Sequence, residues 1–135
     1  MRQRVLLGYQ WVTGLSDTGT GILLYFAPLF TLHLMGVHAP TGAAPYVSYI
    51  GTFVLSVGIA CLYGVRIIAL GASSEKLEMV WLLTTFSRSA VAIYIVKCIF
   101  AGELELAWIS VALFDGVIAA IQGIGLRKRW LSHAF

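Results

Sequence analysis

Four apolar runs dominate this chain, at about residues 5–26, 46–70, 77–101 and 104–126. Each reaches the roughly 20 residues that a helix needs to cross a hydrocarbon layer about 30 Å thick. Nothing else in the sequence narrows the choice of fold as far. The surrounding composition agrees: 59% of the 135 residues are hydrophobic and only 11% are charged, against about 25% charged in a soluble domain. The expected fold is all-α, a four-helix antiparallel bundle integral to a membrane, forming one domain over residues 1–135.

The breaks between runs have chemical causes. Pro28 ends or kinks the first span because proline cannot donate the helical hydrogen bond. The stretch PLFTLHLM after it suits a short interfacial helix, and HAPTGAAP, residues 38–45, is a turn-rich connection. Gly71-Ala72-Ser73-Ser74 closes the second span and offers a serine cap to the third, with Glu75 and Glu78 near its positive dipole end. Gly102 separates the third span from the fourth. MRQR followed by VLLGYQWV resembles a signal peptide, but Asp17 interrupts the apolar run and no small-x-small cleavage site follows. The segment is expected to stay as a span. No sequence repeat is evident.

Orientation follows from lysine and arginine at the span ends. Arg2, Arg4, Arg66, Lys76, Arg127, Lys128 and Arg129 fall on one side; the first loop opposite has none. Both termini are therefore expected to be cytoplasmic, in a multi-pass protein of the bacterial inner membrane. The net charge of +3 does not signal nucleic acid, because no basic face is gathered on a soluble surface. Arg127, Lys128, Arg129 and Trp130 read instead as an anchor to anionic lipid headgroups. Trp81 and Trp130 fit the interfacial aromatic belt, and Lys97 should snorkel outward to Glu103 or Glu105.

Three charges do not sit at the periphery. Asp17, Arg88 and Asp115 each lie 10–12 residues into their spans, a depth of roughly 15–18 Å. An ionised group at mid-bilayer costs a few kcal/mol even on lenient scales, so all three are expected to face inward and form an ionic cluster. Arg88 would bridge the two carboxylates with its planar fork. Neighbouring hydroxyls (Ser16, Thr18, Thr84, Thr85, Ser87, Ser89) stand ready for leftover donors and acceptors. Such a cluster reads either as a structural lock that sets helix register or as a pathway for protons, ions or solutes.

Small residues recur at every fourth position of the second span: Ser48, Thr52, Ser56, Ala60 and Gly64. A ridge of this kind lets helices approach closely, either inside the bundle or against a partner helix. Ala112, Gly116 and Ala120 repeat the theme in the fourth span, beside Asp115, Ala119 and Gly123.

Other chemistry is weakly supported by the residues present. Asp17-Thr18-Gly19 matches the triplet of soluble aspartic proteases, but it stands in a helix. The GxGD signature of the intramembrane class is broken by Ser16. His33 and His38 stand at the outer surface and are not the facing pair that a b-type haem requires. His33 alone could ligate the magnesium of a chlorophyll; an interfacial histidine bonded to water is the plainer reading. Cys61 and Cys98 differ in depth by about 15 Å, too far for a disulfide. Phosphate loops and zinc spacings are absent. No catalytic residues, metal or obligatory cofactor are expected, though lipid, chlorophyll or quinone contacts are compatible with the pattern.

In layout the chain resembles the DoxX-like small four-helix membrane proteins of bacteria, in length, cytoplasmic ends and basic tail. That resemblance implies quinone-linked oxidoreduction but brings no motif and no residue to match. The leading expectation is a non-catalytic accessory subunit of a larger respiratory or photosynthetic membrane complex, with lipids and other transmembrane subunits as partners. The alternative is a small proton- or solute-coupled transporter that uses Asp17, Arg88 and Asp115.

Overall fold

A computed structural model describes residues 3–132 as α-helices joined by short turns, with no strand among them. Helix α1 spans Gln3–Phe26, α2 Pro28–Leu34, α3 Ala44–Ala69, α4 Ser74–Phe100 and α5 Ile109–Arg127. These bounds lie within a few residues of the expected runs at every end but one. There, a 3-10 turn at Leu106–Trp108 precedes α5. Pro28 occupies the first turn of α2 after a non-helical Ala27, as a residue without an N–H should.

Among the described residues, three stretches are long and apolar enough to cross a membrane: Thr41–Ala69, Ser74–Phe100 and Leu106–Arg127. Helix α1 is long enough at 24 residues but is not among them. Gln3, Arg4, Gln10 and Asp17, with its glycines and threonines, lower its hydropathy. Many large apolar side chains are exposed, among them Phe26, Phe86 and Phe100 at 78%, 76% and 88%. Gln10, Thr13, Asp17, Thr84, Arg88 and Gln122 are buried. An exterior this apolar, with several polar side chains buried beside an apolar core, departs from a water-soluble protein and fits a protein whose solvent is lipid.

Helix ends are closed by backbone geometry. Gly36, Gly71 and Gly102 adopt φ of 75°, 59° and 73°. At each, the next residue's N–H reaches back five positions, as in Ala72 to the Ile67 carbonyl (3.1 Å) and Glu103 to that of Cys98 (2.9 Å). This is the Schellman closure, which glycine enters without Cβ strain. Arg129 makes the same closure after α5 at φ 52°, with Trp130 N–H on the Gly125 carbonyl at 3.0 Å. At the start of α4, Ser73 holds the cap position, but its side chain makes no capping bond. The expected serine cap is therefore positional only.

The chain divides into two compact units. One is Leu7–Arg66 and holds most of α1 with α2 and α3; the other includes everything from Ile67 onward, with α4 and α5. In the first, α1 and α3 run past each other in opposite directions. A Cβ at Gly14 would meet Leu62 at 2.8 Å, one at Gly21 the Leu55 Cα at 2.6 Å, and one at Gly51 the Tyr25 N at 2.8 Å. At Gly58 a Cβ would strike Thr18 N and Oγ1. Glycine faces a bulkier residue alternately from each helix, at spacings of seven, so the backbones close to a distance that no side chain would permit.

In the second unit α4 and α5 pair in the same sense. Gly116 lies opposite Ala92, Gly123 opposite Thr85 and Gly125 opposite Trp81, whose ring would stand 2.5 Å from a Cβ there. Trp81 is fully buried against that glycine. It does not serve the interfacial belt, because Gly125 leaves room for an indole inside.

Both pairs follow one plan. Leu6, Gln10, Thr13, Asp17, Gly21 and Leu24 are buried along α1; Leu77, Trp81, Thr84, Arg88, Ala92 and Ile95, each 71 positions later, are buried along α4. Gly51, Gly58, Cys61 and Gly64 of α3 recur 61 positions later as the buried Ala112, Ala119, Gln122 and Gly125 of α5. The shorter offset reflects the extra length of the connection that holds α2 in the first pair. Identities follow the register: Thr13-x-x-Ser16-Asp17-Thr18 against Thr84-x-x-Ser87-Arg88-Ser89, and Gly64-Val65-Arg66 against Gly125-Leu126-Arg127. The sequence thus contains a repeat that residue-by-residue inspection did not find.

Candidate functional site

Arg88 and Asp115 form the clearest polar constellation. Arg88 Nη1 donates to Asp115 Oδ1 at 2.6 Å, with side-chain exposures of 3% and 16%. Arg88 sits mid-helix in α4, and the antiparallel pairing brings Asp115 of α5 beside it. The guanidinium carbon also stands 5.7 Å from the centroid of the Phe114 ring, within range of a cation–π contact. Of the cluster expected from sequence, this pair lies within one unit. Asp17 belongs to the other unit, where it is 6% exposed and its backbone lies against Gly58.

About one turn from Arg88 along α4, a second polar contact joins the same two helices. The hydroxyls of Thr84 and Thr85 each lie 3.2 Å from Gln122 Oε1, which accepts from them. Thr84 shares its hydroxyl with the Val80 carbonyl at 2.8 Å. Gln122 is fully buried, and its Nε2 has no hydrogen-bond partner among the described residues. The first unit has its own clamp, Gln10 Nε2 donating to the Cys61 carbonyl of α3 at 3.1 Å.

Neither glutamine was among the residues anticipated as functional. The signal was present: Gln10, Thr13 and Asp17 share a face at spacings of three and four, and Asp115 and Gln122 are seven apart. Of the hydroxyls expected to serve the charges, Thr84 and Thr85 serve Gln122 instead. Ser87 donates to its own helix at the Leu83 carbonyl (3.1 Å), a common way to satisfy a hydroxyl in lipid.

The small-residue ridge of α3 is only partly used inside its unit. Ser48 donates to the Tyr25 carbonyl of α1 at 3.1 Å, while Thr52 and Ser56 donate to carbonyls of α3 itself. Ser56 is exposed, Thr52 and Ala60 are half-buried and Gly64 is buried. Close approach to α1 belongs to the neighbouring Gly51–Gly58 ridge.

His33 is exposed in the last turn of α2. Arg127, Lys128 and Arg129 are exposed at the end of α5, and Trp130 is half-buried against Gly125. Lys97 Nζ stands 6.0 Å from the Tyr94 ring centroid. Cys61 and Cys98 are buried and not in a disulfide. Among the described residues no three His, Cys, Asp or Glu side chains gather as a metal site. Arg2 and the last three residues of the tail lie outside the described residues.

No protein-family model, curated protein or solved structure matches the chain. Functional assignment therefore rests on its own residues.

Proposed function

We propose that the chain is a non-catalytic accessory subunit of a larger bacterial membrane complex of the energy-transducing kind, respiratory or photosynthetic. It crosses the inner membrane four times, with both termini cytoplasmic, and stabilises assembly by helix packing. The observation that carries this reading is the direct 2.6 Å clasp between Arg88 and Asp115. A buried cation held by a carboxylate on the adjoining helix fixes register; a relay needs groups that exchange partners. The fourth crossing is supported by the shared buried pattern of α1 and α4, because α4 is apolar enough to span. The partly exposed ridge at Thr52, Ser56 and Ala60 offers a face to a neighbouring helix. The likeness to DoxX-like proteins is one of layout and assigns no residue.

A second reading, a small proton- or solute-coupled transporter, is favoured by two buried polar atoms, Thr18 Oγ1 and Gln122 Nε2, that have no hydrogen-bond partner among the described residues. Replacing Asp17 and Asp115 with asparagine separates the two. A subunit loses stability or assembly, whereas a transporter folds and loses pH-dependent flux in liposomes.

A further inference from the structure

Gln122 is fully buried in α5, yet only one end of its carboxamide has partners. Oε1 lies 3.2 Å from the hydroxyls of Thr84 and Thr85, while Nε2 has no hydrogen-bond partner among the described residues. Turning the amide over does not cure this. The Thr84 proton is within reach of the Val80 carbonyl at 2.8 Å, so its oxygen could accept from Nε2, but Oε1 would then have no partner. In either orientation one end of a buried amide is left unserved, which native proteins rarely allow.

The seam beside this amide has room. In the first helix pair, a Cβ at Gly14 or Gly21 would come within 2.8 Å of Leu62 or Leu55. At the equivalent positions of α5, those two leucines give way to Gly123 and Gly116. A Cβ at either would meet nothing nearer than 3.9 Å, from the Thr85 methyl and from Ala92. Each glycine directly follows a polar residue, Gln122-Gly123 and Asp115-Gly116, where α3 has Cys61-Leu62 and Val54-Leu55. Polarity and room have entered α5 together. Toward the end of α5 the seam closes again, because the buried Trp81 ring fills the space over Gly125.

We propose that Gln122 and Thr85 bind a single buried water in the α4–α5 seam, against the backbone of Gly123. Water both donates and accepts, so it serves the amide in either orientation. It is about the size of a methyl group, which is the room that Gly123 leaves beside Thr85. Larger solutes are shut out, since Gln122 and Thr84 are buried. Immobilising a water offsets much of what its hydrogen bonds contribute, so the site is read by proton transfer rather than by melting temperature. Stopped by Trp81, it is a polar corner for one molecule and not a column of water along the helix pair. This assignment rests on the membrane reading above, which keeps bulk water from this depth.

The sequence supplies its own controls, because its only carboxamides are Gln3, Gln10 and Gln122. Gln3 is exposed, and Gln10 is buried with Nε2 donating to the Cys61 carbonyl. The test places the full-length, isotope-labelled protein in liposomes and follows magnetisation transfer from water to these side-chain amides by solid-state NMR. Gln122→Met identifies the signal of interest. The expected result is fast transfer to Gln122, close to that of Gln3 and unlike that of Gln10, weakened in Gly123→Ala and lost in Gly123→Leu. Transfer to Gln122 as slow as to Gln10, or transfer unchanged in Gly123→Ala, overturns the proposal. Alanine adds a methyl at ordinary contact distance, so that arm stands even where the leucine variant does not fold. Flotation of the same liposomes separates the two levels. Protein that does not float with the lipid defeats the membrane reading itself, while a floating protein with a dry Gln122 defeats only the water site.

Discussion

Arg88 Nη1 and Asp115 Oδ1 meet at 2.6 Å between two helices that also pack through Ala92 against Gly116 and Trp81 against Gly125. The pair joins α4 to α5 near the middle of both helices, where water is scarce. Removing one partner leaves the other charge buried, which typically costs about 3–5 kcal/mol, more than the pair itself contributes. Asp115→Asn or Arg88→Met should therefore lower the melting temperature in detergent sharply. The double variant Arg88→Met/Asp115→Leu should recover most of the loss. A thermal-shift series over the four proteins checks this, and a double variant no better than its parents would refute it.

Glycines divide into two groups whose alanine variants should behave oppositely. At Gly21 and Gly58 an added methyl would strike backbone atoms of Leu55 and Thr18, so α1 and α3 must separate. Overpacking of this kind costs about 1–3 kcal/mol. At Gly8 and Gly19 nothing lies within 4 Å, and at Gly116 and Gly123 the nearest atom is at 3.9 Å. Alanine there should be neutral or add up to about 1 kcal/mol through helix propensity. Fluorescence-detected gel filtration after heating distinguishes the groups.

Arg129 closes α5 in the left-handed region at φ 52°, where the other three closures use glycine. A side chain in that conformation costs about 1 kcal/mol or more. Arg129→Gly should accordingly raise the melting temperature by a few degrees, whereas Arg129→Val should lower it. The same scan in low salt with anionic lipid shows whether removing the charge offsets the gain.

Gln122 gives a test of the buried polar contact. Gln122→Leu removes two hydrogen bonds from Thr84 and Thr85 and also removes an amide nitrogen with no partner among the described residues. The two effects oppose each other, since an unmet donor costs about 1–3 kcal/mol and intramembrane side-chain bonds average about 0.6 kcal/mol. Stability should change little or rise. A large loss would mean that Nε2 is engaged in the assembled protein, by water or by a neighbour. Chemical denaturation in mixed micelles measures the sign.

Much of the fold was legible in the sequence because its punctuation is chemical. Pro28, Gly71 and Gly102 mark helix ends through a missing N–H or a positive φ, and these rules hold in any solvent. The inward faces were less legible. In lipid both sides of a helix are apolar, so hydrophobicity does not point to the core. Small residues at every fourth position, Ser48 through Gly64, mark α3 as a packing helix for the bundle or for a partner, and the closest approach to α1 falls at Gly51 and Gly58. Which ridge is used depends on where the partner presents Leu55 and Thr18, and a single helix does not contain that information. Asp17, Arg88 and Asp115 stood out as charges, whereas Gln10 and Gln122 were hidden by carrying none. The repeat escaped notice because lipid-facing positions such as Leu15 and Phe86 need only be apolar, so residue types drift while the buried spacing persists.

The subunit proposal meets its most direct test in the native membrane. Membranes from the source cells, solubilised in digitonin, are run on a native gel and the chain located by an antibody to its tail. The expected result is migration within a complex several times the 14.7 kDa of the chain, shifted toward the monomer by Asp115→Asn. A chain found only as a monomer, under conditions that preserve other membrane complexes, would contradict it.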